Sequence, residues 1–508
     1  MKPSKINNKI SGYLTVFLTL ILAALLPLCM LLIEGVRIRA IYFEAECVSD
    51  IGINSIFAEY HRELFKQYNI FAVDCSYGTN YASEVNTEQH LKEYLDRNIS
   101  YENIFLSEYM YRDYMGLYVN DAELTKVSFL TDEKGSVLKK SAVDAVKDDI
   151  GIETLEQLKE WLSSVESENL DMRNAAEEKR LLDEEIEELV EEAQSDDEEE
   201  IIKEDGTIEI VPISYEPYVS PTNSLEDKRN KGIIKYVVEN TEELSCKSLN
   251  TEGLISARIE SGNINKGNFN QDDTSSLQEI TESFFFNEYL LRYMNCYVNI
   301  NDGQAENVSA LKALDYEIEY LIAGKASDLD NLRSVINRLC MLREAANAVY
   351  IFSDEIKCKE AEVLAAIIAV LVQAPDIEPL LRDSILLGWA YAESLYDIRV
   401  LLAGGRVPLI KDEKTWHYSL QGALEANDSE YGDCKEGLSY EDYMRIFMLL
   451  TNEDTLTERA MNIIEANIRL TEGNKAFRLD ACISEAEVAV KIASTYGYSC
   501  EVTRKKAY

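Results

Sequence analysis

The stretch ISGYLTVFLTLILAALLPLCMLLI, residues 10–33, contains no charged side chain; Lys2, Lys5 and Lys9 precede it, and Glu34, Arg37 and Arg39 close it off. At about 1.5 Å per helical residue it reaches roughly 36 Å, enough to cross a hydrocarbon core of about 30 Å with some tilt. It reads as one membrane span. The flank of residues 1–9 is basic, short and free of acids, so the positive-inside rule keeps it in the cytoplasm, although Arg37 and Arg39 weaken the bias. Everything after Ile33 then lies outside the cell. The run is too long for the usual signal-peptide core of about 7–15 residues, and no small-x-small cleavage site follows it before Arg39. A lipoprotein site at Leu26-Pro27-Leu28-Cys29 is disfavoured because Leu28 is bulky where processing wants a small residue.

The helical pattern does not stop at the membrane. Ile41, Ala45, Val48, Ile51 or Gly52, Ser55 or Ile56, and Tyr60 recur at steps of three and four, with Glu44, Glu46, Asp50 and Glu59 elsewhere. This predicts a single helix from about Ser11 to Phe65, with Gly52 and Asn54 as the weak points. Tyr68–Cys75 is a short β-prone run, Glu88–Asn98 has helical spacing, and Tyr118–Thr131 alternates. In that alternation Glu123, Thr125, Val127 and Phe129 share one face. Glu133-Lys134-Gly135 is a turn. At the far end Val488, Val490 and Ile492 alternate with Glu487, Ala489 and Lys491; after a turn near Tyr496-Gly497 the alternation resumes, so the chain ends in a predicted β-hairpin.

Between these ends the pattern is helical. Thr154–Gln157, Ser275 with Gln278, and Ser439–Asp442 are capping signatures. The acid-rich run within 183–205 reads as a solvated arm, and 195–231, with Pro212, Pro217 and Pro221, as a linker. It contains no calcium-loop pattern. Val363–Val372 is strongly apolar but only about half the 20 residues a span needs, which predicts a buried core helix. The expected fold is therefore α+β, mainly α: a transmembrane helix continuing into the ectodomain, a small antiparallel sheet drawn from both chain ends, and a large helical insertion. The expected divisions are 1–9 tail, 10–33 span, 34–135 membrane-proximal helix and strands, 136–194 acidic helical arm, 195–231 linker, 232–475 helical domain and 476–508 hairpin.

With 92 acidic against 50 basic residues in 508, the formal charge of −42 argues against nucleic acid or an anionic bilayer as a partner of the ectodomain, since both reward clustered Lys and Arg. Ten cysteines form no CxxC pair, which excludes a zinc site of the usual spacing. Cys340 and Cys358 sit in apolar helical patterns and read as buried thiols; a Cys47–Cys75 disulfide stays open. The three histidines, His61, His90 and His417, have no metal-ligand neighbour at helical spacing, and no HExxH, P-loop, GxSxG or GxGxxG motif is present. No catalytic, cofactor or metal residue is assigned. Two carboxylate pairs have the spacing of a glycosidase acid/base: Glu393 with Asp397, near Arg399 and Trp389, and Glu317 with Glu319. A helix-to-helix polar network is the plainer use of both. Thirty tyrosines against fourteen phenylalanines, as in Tyr109–Tyr114, suit partly wet subunit contacts, so a homo-oligomer is open.

The start Gly12-Tyr13-Leu14-Thr15-Val16-Phe17-Leu18 before a long apolar helix resembles tight-adherence (Tad) pilus proteins of the TadE/TadG type. Asn54–Tyr60, Tyr316–Tyr320 with Gly324-Lys325, Trp389–Ser394, and Val407–Lys411 with Trp416 resemble a family of single-span proteins of unknown function found beside such pilus loci. The resemblance implies a non-enzymatic, membrane-anchored accessory protein whose partners are other pilus or secretion-apparatus proteins. Pilins cut after glycine carry glutamate at the fifth mature position, and Phe17 stands there in this chain, so an accessory or minor subunit is implied rather than a repeating one. The alternatives are an anchored cell-wall hydrolase and an anchored binding module.

Overall fold

A computed structural model describes residues 9–99, 115–147, 163, 174–195, 198–202, 208–212, 218–238, 240–269, 276–301, 311–425 and 436–508. The tail before Lys9, the Tyr109–Tyr114 cluster, Thr154–Gln157 and Ser275 lie outside the described residues. The chain divides into two compact units. Unit 1 comprises Met1–Leu138, Gly262–Asp273 and Glu472–Tyr508; unit 2 comprises Lys139–Ser261 and Thr274–Thr471.

Unit 1 is organised around α1 (Lys9–Phe57), a helix of 49 residues. From Tyr13 through Ile33 it is exposed and apolar, with a mean hydropathy of 2.9 over its most apolar window, and is long and apolar enough to cross a membrane. Its second half is embedded. Ile41, Ala45, Val48, Ile53 and Ile56 are buried, whereas Ile51 points outward, so Gly52 and Ile56 continue the stripe. The helix does not break at Gly52. A side chain there would place its Cβ 2.7 Å from Leu95 Cδ2 and 3.1 Å from Leu91 Cδ1, so glycine lets α3 (Glu84–Ile99) approach closely. Gly52→Val is accordingly expected to destabilise unit 1 by about 1–3 kcal/mol through overpacking, measured by thermal unfolding of the detergent-solubilised chain. An unchanged transition would refute the close approach.

The helix stops at Phe57, short of the expected Phe65. His61 starts α2 (Arg62–Tyr68), its Nδ1 accepting the Leu64 amide at 3.2 Å, and Asn69 ends it in the left-handed region with φ 52°. This turn takes Tyr68 and Asn69 out of the expected strand, which shrinks to β1 (Val73–Asp74). The remaining strands are β2 (Leu117–Phe129), β3 (Cys482–Ser494) and β4 (Ser499–Ala507). Central β3 pairs antiparallel with the other three, so both chain ends do build one sheet. Ala486, Val488, Val490 and Ile492, with Cys500 and Val502, pack in one core with α1 and α3. The opposite face carries Lys126–Glu487 at 3.2 Å and Lys505–Glu485 at 2.6 Å, as a half-solvated sheet should.

A register shift between Leu124 and Lys126 is a β-bulge, and it changes which residues face inward. Ala122 and Leu124 join the core before it, Val127 and Phe129 after it. The simple alternation expected for Tyr118–Thr131 therefore fails at Thr125. The outer edge of β2 is closed by Asn268, whose Oδ1 accepts the Val127 amide at 2.8 Å, and by Glu88, which accepts the Leu124 amide at 2.9 Å. The turn at 133–135 is present, with φ values of 50°, 60° and 91°.

Among its described residues, unit 2 is built of helices and connecting loops with one β-hairpin. Its elements include α4 (Ala175–Ser195), α5 (Glu317–Ala323), α6 (Asp328–Ser353), α7 (Glu355–Leu371), α8 (Glu378–Leu402), α9 (Leu420–Leu424), α10 (Tyr440–Leu449) and α11 (Glu453–Arg469). The segment read as a solvated arm is in part docked: Ala175, Lys179, Ile186 and Val190 of α4 are buried, at helical spacing within a background of glutamates. Lys179 binds Asp183 and Glu226. The stretch read as linker holds a hairpin, Glu198–Ile202 with Ile208–Pro212, and a helix, Asn223–Lys231. The capping box at Ser439 and Asp442 forms as expected.

Two further expectations are corrected. Helix α7 is not a buried core helix: Ala361, Ala365 and Ala369 pack inward while Val363, Ile367, Val370 and Leu371 are exposed. A row of alanines lets α7 lie close to α8, which turns the larger side chains outward. All nine described cysteines are free thiols, Cys47 and Cys75 among them, and Cys358 is only half-buried.

Candidate functional site

Both carboxylate pairs lie in unit 2. Helix α8 is almost wholly buried from Ser384 to Ile398, and Glu393 and Asp397 stand on one face of it because they are four residues apart. Each is fully enclosed. An isolated buried carboxylate is prohibitively costly, so the surroundings must supply charge and hydrogen bonds.

They do so from three other elements. Arg343 on α6 reaches Asp397 Oδ2 with Nε at 3.0 Å and Nη2 at 2.9 Å. Its Nη1 donates to the carbonyls of Pro408 at 2.9 Å and Leu409 at 2.7 Å and to the Tyr443 hydroxyl, on α10, at 3.0 Å. Asn347 donates to Asp397 Oδ2 and to Ser394 Oγ, both at 3.0 Å. Lys411, itself buried, meets Asp397 Oδ1 at 2.6 Å as an ion pair and also binds Glu393. Glu393 accepts the backbone amides of His417 at 2.8 Å and Tyr418 at 2.9 Å.

Two acids and two bases thus share one enclosed network. Burial pushes the Asp397 carboxyl up, but Lys411 and Arg343 outweigh it and hold the group below the usual carboxylate range. For Glu393 burial prevails over Lys411, and its carboxyl is raised. Burial, then the Lys411 charge, lowers the imidazole of His417, which stacks on Tyr396 with ring centres 3.9 Å apart. Arg399, expected beside the pair, instead donates to the Tyr236 carbonyl at 2.7 Å. Sequence reasoning missed Arg343, Asn347 and Lys411 as partners. A signal for the first two existed: they fall on the apolar stripe of α6 with Val335, Ile336 and Leu339, where an unpaired charge has no place.

Above this network is a cavity of about 280 Å³ lined by Tyr396, Asp397, Arg406, Lys411, Trp416 and His417. The Trp416 indole donates to the Tyr418 carbonyl at 2.9 Å, so it braces the loop. Glu393 does not line the cavity, and the two carboxylates do not share an open wall.

Glu317 and Glu319 diverge, each holding a different chain segment. Glu317 accepts the Asn295 amide at 2.9 Å and faces Lys312 at 3.2 Å. Glu319 accepts the Tyr297 amide at 2.9 Å and the Tyr440 hydroxyl at 2.8 Å, and its Oε2 has no hydrogen-bond partner among the described residues. Burial pushes its carboxyl up to about 7. His61 serves as a helix cap, and His90 meets Glu59 at 3.1 Å. No group of three or more potential metal ligands occurs among the described residues.

An open groove of about 810 Å³ runs between α7 and α9, lined by Ile356, Val363, Leu364, Leu420 and Leu424 with Lys359 on its rim. Glu360, Gln421 and Glu425 also line it.

A family model described as a family of unknown function, DUF5702, matches residues 214–494, more than half of the chain. The chain belongs to the DUF5702 family. The match takes in Glu317, Glu319, Arg343, Glu393, Asp397 and Lys411, and it ends at Ser494, the last residue of β3, leaving α1 and β4 outside. No curated protein matches the chain. No solved structure matches it either.

Proposed function

We propose that this DUF5702 chain is a non-enzymatic, membrane-anchored accessory protein of a Tad-type pilus or secretion apparatus, its amino terminus cytoplasmic and its ectodomain outside the cell. The observation that carries the proposal is α1, bare and apolar over its first half and built into the core of unit 1 over its second. A continuous helix transmits position and orientation from bilayer to ectodomain, as a structural subunit requires and a tethered enzyme does not. The TadE/TadG-like residues Gly12–Leu18 at its start support the pilus assignment. The experiment is a pull-down of the detergent-solubilised full chain, which should recover pilus components; deletion should also impair pili and surface adhesion. Unchanged pili and adhesion would overturn the proposal.

The hydrolase alternative loses its candidate pair. Glu393 and Asp397 are engaged by Lys411, Arg343, Asn347 and backbone amides, and only Asp397 lines the cavity, so the two do not face one substrate as an acid/base pair would. A binding module is the second reading, favoured by the apolar groove between α7 and α9. Val363→Asp is then expected to leave stability within about 0.5 kcal/mol, as exposed substitutions do, while abolishing capture of any component recovered by the full chain. Retained capture would exclude the groove.

A further inference from the structure

The turn joining β3 to β4 is held rigidly against α1 where the helix leaves its apolar run. Tyr498 donates its hydroxyl to Glu34 at 2.7 Å, and the Arg37 guanidinium lies 4.4 Å from the centre of the Tyr496 ring. The turn closes through Gly497, at φ 84°, whose amide donates to the Ser494 carbonyl at 2.9 Å. The start of β2 is tied to it, since the Thr495 amide donates to the Gly116 carbonyl at 2.8 Å. A side chain at Gly116 would collide with Thr495, its Cβ falling 2.0 Å from Oγ1. This end of the sheet therefore moves with the helix or not at all.

Its chemistry differs from the rest of the chain. Of 508 residues 92 are acidic, yet none falls within 115–120 or 488–500. Glu34, the acid beside it, is already engaged by Arg37 at 3.0 Å and by Tyr498. Tyr118 and Tyr496 are about half exposed there, and Arg39 lies one short step along α1. Tyrosine rings with a polar tip, accompanied by arginine and, within 115–120 and 488–500, by no carboxylate, suit the layer between hydrocarbon and water.

Depth follows from helical rise. With the hydrocarbon ending near Ile33, Glu34 to Arg37 occupy the next turn, about 5 Å further out, whereas the headgroup layer adds roughly 5–8 Å on each side. We propose that the β3–β4 turn, with Tyr496 and Tyr498 beside Arg37 and Glu34 and with Tyr118 at the adjoining start of β2, is a membrane-interface contact seated among phospholipid headgroups, resting unit 1 on the bilayer at a fixed angle. The proposal rests on α1 being the membrane anchor, and the contact is continuous with that anchor. Its partner is the lipid interface rather than a protein.

The test uses the full chain in vesicles of phosphatidylcholine and phosphatidylglycerol carrying a nitroxide quencher either at the headgroup or at the acyl-chain end. Tyr496→Trp supplies the probe, with wild-type fluorescence subtracted. Tyr81→Trp is the matched control: Tyr81 is exposed and follows β1, which pairs with the opposite end of β3, about 40 Å away at roughly 3.3 Å per residue. The added tryptophan at 496 should be quenched at least twofold more by the headgroup label than by the chain-end label, and that at 81 by neither. Tyr118→Trp should reproduce the 496 result should the first variant fold poorly. Equal, absent or chain-end-dominated quenching at 496 and 118 in vesicles that retain the protein through alkaline carbonate overturns the interface contact alone. Extraction by carbonate overturns the anchor and the contact together.

Discussion

Arg343→Leu is expected to lower the stability of unit 2 by about 3–5 kcal/mol, the size typical of removing one partner from a buried ion pair. The leucine fills part of the space, so the loss is electrostatic. Asp397 would keep Asn347 and Lys411, but the carbonyls of Pro408 and Leu409 would lose their shared donor inside the core. Arg343→Leu with Asp397→Leu should recover much of the loss, because the double variant leaves Lys411 paired with Glu393 and strands no charge. The measurement is thermal and urea unfolding of the solubilised chain, followed by near-ultraviolet circular dichroism. A loss below about 1 kcal/mol for the single variant would mean that the network does not hold α6, α8 and the 407–418 loop together.

The same network has a pH signature. Asp397 is held below its usual range, so the stability it contributes is present above the unfolded carboxylate value and is lost as pH falls through the depressed folded one. Glu393, raised by burial, acts in the opposite sense.

What the sequence carried legibly was local and periodic. The stripe from Ile41 to Ile56 and the alternation from Val488 to Ile492, resumed after the turn at Cys500 and Val502, keep their phase, and burial follows both. Readings failed where a single residue changed the phase or where partners were remote. One extra residue at Thr125 moved the inward set of β2 from even to odd numbers. In α7 apolarity and burial separated, because the alanines at 361, 365 and 369 claimed the contact with α8. In α4 the acid count concealed Ile186 and Val190. At the candidate site, Glu393 and Asp397 were visible as a polar pair in an apolar helix, whereas Lys411 lies in a loop that no periodicity marks.

Glu319→Gln is expected to flatten the pH dependence of unit 2. The Glu319 carboxyl is fully buried, accepts from the Tyr297 amide and the Tyr440 hydroxyl, and leaves Oε2 without a hydrogen-bond partner among the described residues. Burial raises it from an ordinary 4.5 to about 7, with Asp328 adding in the same direction and hydrogen bonds from the Tyr297 amide, the Tyr440 hydroxyl and its own backbone opposing. Between these values the folded chain holds a proton that the unfolded chain has released, so stability falls as pH rises from about 4.5 through about 7. At 1.36 kcal/mol per unit the shift is worth about 3 kcal/mol at pH 8, a net cost in which burial of the charge is the largest cause. Glutamine keeps the Oε1 acceptor for Tyr297 and Tyr440 and never ionises. The variant should therefore match the wild type near pH 5 and exceed it by about 2–3 kcal/mol near pH 8, read from urea midpoints at both values. Parallel pH profiles for the two proteins would show that Glu319 does not titrate there. Tyr440→Phe sharpens the result, since losing the hydroxyl removes a stabiliser of the ionised form and should steepen the wild-type profile in the direction that Glu319→Gln abolishes.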